Sequence, residues 1–250
     1  MIGIVGGVGP YAGIDLLKKV YDNTIAETDQ DYLDTLLLSM SSKIEDRTKY
    51  LLNKDLENPG YAIAKIINKL YLSGATVIGV PCNTAHSKEI FDVVKNELKS
   101  KEVSIHLLNM IEETSSFISE NYPDITKVGV LSTTGTFKSK LYNSSLELNN
   151  YKVILPSLNM QENTIHPAIY DSIYGIKSTS DTIHPKARKN LLEGISALKK
   201  QGAEIVILAC TEIPLAITEK EVDNVITIDP TNILARALIN KYYPKKLKTL

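Results

Sequence analysis

The chain has 250 residues, 43% of them hydrophobic and 23% charged, a composition typical of a soluble globular protein. This length suits one large domain or two of about 125 residues, and a net charge of −1 without long lysine or arginine runs predicts no nucleic-acid or membrane partner. No apolar stretch approaches the roughly 18 residues of a membrane span, and the N-terminus lacks the basic start of a signal peptide, so we expect a cytoplasmic protein.

Short β-branched runs alternate with helical patterns along the chain. The predicted strands are Ile2–Val5, Thr35–Met40, Thr76–Val80, Ser104–Leu108, Lys127–Leu131, Lys152–Leu155, Glu204–Ala209 and Val225–Ile228. Before the third strand, Ile63, Ile66, Ile67 and Leu70 have the spacing of one apolar helix face, and Lys186 to Lys200 repeats this pattern before the seventh strand. This alternation predicts parallel α/β structure.

The pattern is also duplicated. The opening "IGIVGGVGP" matches "VGVLSTTGT" from Val128, and a cysteine follows each segment after a similar interval. We therefore predict an α/β fold of two pseudo-twofold-related Rossmann-like domains, each a mainly parallel sheet flanked by helices. The predicted domains are residues 1–109 with 231–250, and residues 110–230, with the active site in the cleft between them.

The two cysteines of the chain, Cys82 and Cys210, end the matching segments "GATVIGVPC" and "GAEIVILAC". Parallel sheets bind ligands at the carboxyl ends of their strands. A helix N-terminus there, capped by Asn83 or Thr84 after the first cysteine, would lower a thiol pKa and receive a carboxylate. Facing one another, the two thiols would suit proton removal from one face of a carbon and proton return to the other.

Three other interpretations of the cysteines stay open at this point. Both could be small buried hydrophobic residues, or they could form a disulfide, which is rare in a reducing compartment. Cys82 and His86 have the i, i+4 spacing of metal ligands on a helix, but the sequence lacks CxxC and HExxH ligand pairs.

The motifs "PCNTAH" and "ACTEIP", with the N-terminal "GIVGGVGP", resemble the cofactor-independent aspartate/glutamate racemase superfamily, and most closely its aspartate racemase branch, over nearly the whole chain. The resemblance implies two α/β domains, a homodimer, and neither pyridoxal phosphate nor a metal. It also implies that Cys82 and Cys210 are the acid/base residues. Some relatives have threonine in place of one cysteine and favour one enantiomer, so two cysteines support reversible racemisation.

The same resemblance supplies two cations for the substrate. The family's "DRT" motif appears as "EDRTKY" and places Arg47 as a carboxylate clamp, a role that suits the bidentate guanidinium. In "SIYGIKS", Lys177 matches the lysine expected to bind a substrate carboxylate. Two cations favour an amino dicarboxylate such as aspartate over a neutral amino acid.

Further candidate residues lie beside these motifs. The substrate-binding candidates are Asn83, Thr84 and Thr211 as hydrogen-bond donors, Thr133 and Thr136 in the "STTGT" loop, and Val8, where many relatives have methionine. Glu212 is a candidate for holding the substrate ammonium or for capping a helix. His86 is a candidate for orienting the Cys82 loop or for a purely structural role.

The predicted function is a PLP-independent isomerase that interconverts L- and D-aspartate by two-base proton transfer at Cα, with a small-molecule substrate and no cofactor. The superfamily alternatives are a racemase of glutamate or many amino acids, a hydantoin racemase and a maleate cis-trans isomerase. Outside it, "GVGPYAG" loosely resembles a dinucleotide-binding loop, but the expected acidic ribose-binding residue is missing. A non-catalytic anion-binding function would account for the two α/β halves but would give no reason for the two cysteines.

Overall fold

The computed structural model describes residues 1–179 and 182–250. The strands within these ranges are β1 (Ile2–Gly6), β2 (Thr35–Ser39), β3 (Val77–Gly79), β4 (His106–Leu107), β5 (Lys127–Ser132), β6 (Lys152–Ile154), β7 (Ile205–Ala209), β8 (Glu221–Val222) and β9 (Val225–Ile228). The α-helices are α1 (Pro10–Asp22), α2 (Arg47–Leu52), α3 (Pro59–Leu72), α4 (Lys88–Ser100), α5 (Met110–Asn121), α6 (Thr134–Ser139), α7 (Asn143–Leu148), α8 (Leu158–Met160), α9 (His166–Tyr170), α10 (Pro185–Lys200), α11 (Ile213–Ala216) and α12 (Pro230–Tyr242). Within these ranges, no helix combines the length and the apolar character needed to cross a bilayer.

The chain forms two compact units, residues 1–114 with 231–250 and residues 115–230. The sheet of the first unit is parallel, with the order β2-β1-β3-β4. The sheet of the second unit has the order β6-β5-β7-β9-β8, and β8 is antiparallel to its neighbour. Each unit is thus a mainly parallel sheet flanked by helices, which confirms the predicted fold class.

The two sheets share one internal order. In each unit the first strand is central, with the second strand on one side and the third on the other, so β3 and β7 occupy equivalent positions. Strands β1 and β7 are buried along their whole length, as expected for continuous apolar runs covered on both faces. The equivalent strands that precede the two cysteines are therefore held within the core of each unit.

The helix before each of these strands follows the predicted pattern. In α3, Asn58 caps the N-terminus by accepting the Gly60 N–H at 2.8 Å, and the apolar face with Ile63 and Leu70 is buried. Gly74 ends this segment with a φ of +94°, a conformation that favours glycine. Helix α10 ends similarly before Gly202, with Leu192 only partly buried beside its apolar face.

Most strand bounds lie within one residue of the sequence prediction at each end, and two strands differ from it more. Strand β4 covers only His106–Leu107 of the predicted Ser104–Leu108, because it lies at the edge of the sheet and pairs with β3 alone. Strand β8 was not predicted. It forms a hairpin with β9 through Asp223 and Asn224, which both have positive φ, the conformation of a type I′ turn. The Asp-Asn pair is the sequence signal for this hairpin.

Candidate active site

Cys82 lies just beyond the carboxyl end of β3. Its backbone is extended, and its N–H donates to the Val80 carbonyl at 2.8 Å. The carbonyl of Cys82 accepts the Ala85 N–H at 3.1 Å, which begins the 3-10 turn Asn83–His86. The residue is 8% exposed. The thiol is thus carried by a fixed backbone at the end of a strand where α/β sheets bind ligands.

His86 supports the Cys82 segment through the backbone. Its Nδ1 donates to the Cys82 carbonyl at 2.9 Å, and its ring packs on Phe91 with the ring centroids 4.8 Å apart. Burial lowers the pKa of His86 to about 4, although the backbone carbonyls of Cys82 and Leu108 oppose the shift. His86 is therefore neutral near pH 7 and fixes the position of the loop without adding charge.

The helix that follows Cys82 begins later than predicted. Neither Asn83 nor Thr84 caps it; both lie in the 3-10 turn with buried side chains, and α4 begins at Lys88 after Ser87 at the N-cap. The 3-10 turn closes with the Ser87 N–H donating to the Thr84 carbonyl at 3.2 Å, and the extended backbone of Ser87 then interrupts the helical path. The amide groups nearest Cys82 therefore belong to a short turn and not to a long helix.

Arg47 and Val8 are brought together in the first unit. Arg47 begins α2, where Asp46 caps the helix by accepting the Lys49 N–H at 2.8 Å. Its guanidinium is buried and donates to the carbonyl of Val8 and, at 3.2 Å, to the carbonyl of Glu45. A buried guanidinium held by backbone carbonyls is a permanent positive charge beside the loop that follows β1.

The loop after β1 depends on one glycine. Gly7 has a φ of +86°, and a Cβ atom there would lie 2.6 Å from the Ser41 amide nitrogen. Only glycine permits this close approach to the segment after β2. The "GGVGP" motif therefore has a packing reason in this fold, independent of any nucleotide.

Cys210 directly follows β7 in the second unit and is 4% exposed. Its Sγ donates to a carboxylate oxygen of Glu212 at 3.0 Å. Burial and the neighbouring Glu212 carboxylate raise the pKa of Cys210 well above its usual value, and Lys177 opposes this shift. The expectation that a helix N-terminus lowers this pKa is wrong, because α11 is only four residues long and burial beside a carboxylate outweighs it.

Glu212 connects Cys210 with Thr211 and Lys177. The Thr211 hydroxyl donates at 3.2 Å to the same carboxylate oxygen that accepts the thiol, and the Lys177 ammonium pairs with the other oxygen. Although Glu212 occupies the N-cap position of α11, its side chain makes no capping hydrogen bond. The structure therefore gives Glu212 a contact that the sequence did not suggest, and it pairs the predicted carboxylate-binding Lys177 with a carboxylate of the protein.

The "STTGT" loop after β5 is buried and hydrogen-bonded. Thr133 caps α6 by accepting the Thr136 N–H at 3.3 Å, and its hydroxyl donates to the Thr136 hydroxyl at 3.2 Å. Two residues without a recognisable motif, Gln161 and His166, support the loop. Gln161 donates to the Ser132 carbonyl at 3.1 Å, and the ring of His166 is 3.0 Å from the Thr134 hydroxyl. No spacing signal connects these residues, because the contacts cross about 30 positions of sequence.

Both cysteines are free thiols, so the disulfide interpretation is wrong. Across residues 1–179 and 182–250, no group of three or more His, Cys, Asp and Glu side chains is arranged to hold a metal ion. The cysteines thus remain as buried thiols at equivalent strand ends: the Cys82 carbonyl binds the neutral His86, and the Cys210 Sγ lies beside the pair of Glu212 and Lys177.

Comparison with known proteins identifies the family. The family described as Asp/Glu/Hydantoin racemase matches residues 5–238. The broad specificity amino-acid racemase RacX of Bacillus subtilis is 28% identical over 249 residues, which span 97% of this chain and 98% of that protein. Picrophilus torridus aspartate racemase is similar in structure, with a TM-score of 0.75 and 29% identity over 96% of this chain and 93% of that one. An aspartate racemase homologue from Pyrococcus horikoshii shares the fold, with a TM-score of 0.71 and 24% identity over 96% of this chain and 97% of that one. The chain therefore belongs to the Asp/Glu/hydantoin racemase family, a family of isomerases.

Proposed function

We propose that this protein is a PLP-independent amino-acid racemase that interconverts L- and D-aspartate by two-base proton transfer between Cα and the thiols of Cys82 and Cys210. One observation carries the proposal: β3 and β7 hold equivalent positions in two sheets of the same order, and a buried thiol follows each strand. A reaction that needs one acid and one base explains why a cysteine follows each of these two equivalent strands.

In each turnover, one thiolate removes the Cα proton and forms an S–H bond, and the opposite thiol releases its proton to Cα. The new C–H bond lies on the other face of the carbon, so the configuration inverts. The two sulfurs have then exchanged protonation states, and the reverse reaction starts from that arrangement. Cys210 is held as a thiol in the free protein, which makes it the ready proton donor.

Two cations support a dicarboxylate substrate. We propose that the buried Arg47 and the partly exposed Lys177 bind its carboxylates and stabilise the negative charge that develops when the Cα proton leaves. The proposed hydrogen-bond donors to the α-carboxylate are Asn83, Thr84, Thr211, Thr133 and Thr136, with Val8 contributing backbone contacts. Aspartate has the two carboxylates that this set requires.

A second candidate is a racemase of many amino acids. Two observations favour it: RacX resembles this chain over almost its full length, and Lys177 already has a carboxylate partner in Glu212. A substrate without a distal carboxylate would not have to compete with Glu212 for the ammonium. The two candidates share one mechanism and differ in how the substrate side chain is recognised.

The deciding experiment is incubation of the protein with L-aspartate, L-glutamate or a neutral L-amino acid in deuterated water, without added cofactor. Chiral chromatography follows the enantiomers and mass spectrometry follows deuterium at Cα. We expect D-aspartate carrying one deuterium, and no exchange with a variant in which both cysteines are serine. Equal exchange of all three substrates would favour broad specificity, and no exchange of any would contradict a racemase.

We further propose that the protein is a cytoplasmic homodimer. Its two free thiols suit a reducing compartment. The family resemblance implies a dimer, and α1 exposes Tyr11, Ile14 and Tyr21 along one face, which would suit burial against a second copy. Light scattering of the purified protein tests this, with twice the mass of one chain as the expected result and the mass of one chain as the contrary one.

A further inference from the structure

Glu212 is the centre of a buried group of polar side chains in the second unit. One of its oxygens accepts the Cys210 thiol at 3.0 Å and the Thr211 hydroxyl at 3.2 Å, and the other pairs with Lys177. The Glu212 side chain is 6% exposed and that of Lys177 is 24% exposed. A buried carboxylate lowers stability unless its hydrogen bonds and its counter-ion compensate, so this arrangement calls for a reason beyond packing.

We propose that Glu212 is the positioning residue of Cys210: its carboxylate orients the S–H bond and keeps the sulfur protonated, while Lys177 neutralises the carboxylate. This inference rests on the proposed function, in which Cys210 exchanges a proton with Cα. Loss of the thiol proton would place two anions in contact in a buried site, and this repulsion favours the protonated sulfur.

The surroundings of Cys210 shift its pKa in a clear direction. Burial and Glu212 both raise the pKa of Cys210, and Lys177 lowers it. After Cys210 gives its proton to a substrate, the same repulsion makes its thiolate a stronger base, which favours recovery of a proton. Glu212 therefore helps to keep Cys210 protonated in the substrate-free protein, so that Cys210 is the proton donor. His86, which is neutral, places no comparable charge beside Cys82.

Other charged and titratable groups on neighbouring elements make contacts of their own. Arg188 of α10 donates to the Ala216 carbonyl at the far end of α11 and pairs with Glu219. Lys177 lies over the Tyr170 ring at 5.7 Å, and that ring stacks on His166, whose pKa burial lowers. The charges that shift the pKa of Cys210 are those of Glu212 and Lys177.

The experiment measures how fast iodoacetamide alkylates Cys210. In the Cys82→Ser variant Cys210 is the single thiol, and well below its pKa its alkylation rate follows the fraction of thiolate. We expect Glu212→Gln in this background to raise the rate by about tenfold or more at a fixed pH, because the neighbouring anion is gone. Glu212→Asp keeps the charge and should stay close to the parent rate.

Two further variants show whether a change in the alkylation rate comes from the charge of Glu212, from easier access to the thiol or from loss of folding. Thr211→Val removes the other hydrogen bond to the same oxygen without changing charge, so its alkylation rate should change much less than that of Glu212→Gln. The double variant Glu212→Gln/Lys177→Met leaves no buried unpaired charge, which protects folding, and should still react faster than the parent. Circular dichroism confirms that each variant is folded.

In the otherwise unmodified protein, Glu212→Gln should lower kcat more than it changes KM and should move the basic limb of the pH profile to lower pH. An unchanged alkylation rate in both Glu212→Gln and the double variant would overturn the inference. Failure of the unmodified protein to racemise any amino acid would instead overturn the proposed function. The two failures are distinguishable because the alkylation assay needs no substrate.

Discussion

Cys82 and Cys210 stand at equivalent strand ends, but their surroundings are built differently. Cys82 is held by backbone hydrogen bonds, and the neutral His86 binds its carbonyl. Cys210 donates its own S–H to a carboxylate that is paired with Lys177. The comparison shows that topology determines where a thiol stands, whereas burial and one neighbouring carboxylate raise the pKa of Cys210.

The loops after the first strand of each unit differ in a similar way. In the first unit, Gly9 precedes α1 without a side-chain cap, and Pro10 starts the helix. In the second unit, the Thr133 hydroxyl caps α6. One loop is thus shaped by backbone conformation and the other by side-chain hydrogen bonds.

The largest expected effect tests whether both thiols take part in one reaction. We expect Cys82→Ala and Cys210→Ala each to lower kcat/KM for L-aspartate by about 10²–10⁴-fold, the usual contribution of a general acid or base. Because the enantiomers have equal free energies, kcat/KM must fall equally in both directions. Full activity in either variant, measured by chiral chromatography, would refute the two-base scheme.

The next largest effect concerns His86, the neutral residue that binds the Cys82 carbonyl. The pKa of His86 falls from 6.5 to about 4 on folding, so the unfolded chain binds more protons between these values. Above pH 6.5, His86 does not reduce the free energy of unfolding. As the pH falls from 6.5 towards 4, the shifted pKa of this one residue lowers the free energy of unfolding by about 3 kcal/mol. Urea unfolding of parent and His86→Gln should show a flatter pH dependence in the variant.

The contribution of His166, whose pKa is also lowered, is common to both proteins and cancels in that comparison. Parallel stability curves for the parent and His86→Gln over this pH range would show that folding does not lower the pKa of His86. The description of His86 as a group that burial keeps neutral would then be wrong.

Arg47→Lys tests the buried cation of the first unit. Lysine cannot donate in a fork to the Val8 and Glu45 carbonyls and a substrate carboxylate together, so we expect kcat/KM to fall by about 10–100-fold. Arg236→Lys is the matched control, since Arg236 donates to Asn23 and Lys248 instead. Equal activity in the two variants would contradict a substrate-binding role for Arg47.

The smallest expected effect sharpens the contrast between the two loops. Thr133→Val removes the hydroxyl that caps α6 and should lower the free energy of unfolding by about 1 kcal/mol. Thr133→Ser keeps the hydroxyl and should stay near the parent in a urea titration. A Thr133→Val variant as stable as the parent would show that the Thr133 hydroxyl does not stabilise this loop.

Much of this architecture can be predicted from the sequence because its signals are local. The apolar runs of β1, β3, β5 and β7, the helical spacing before each cysteine and the glycines at helix ends need only neighbouring residues to be recognised. The repeated order of these signals also predicted two sheets of one plan and placed both cysteines at strand ends. The short β8 hairpin was missed, although its Asp-Asn turn is a local signal.

Tertiary structure alone decided how the candidate site is built. The contacts of Lys177 with Glu212 and of Gln161 with the Ser132 loop join residues 35 and 29 positions apart, and no local pattern indicates them. The helix N-terminus suggested a lowered thiol pKa, but the protonation of Cys210 depends on burial and on one carboxylate. Desolvation and charge proximity act through space, so the protonation of Cys210 follows from the fold and not from the motif that carries this cysteine.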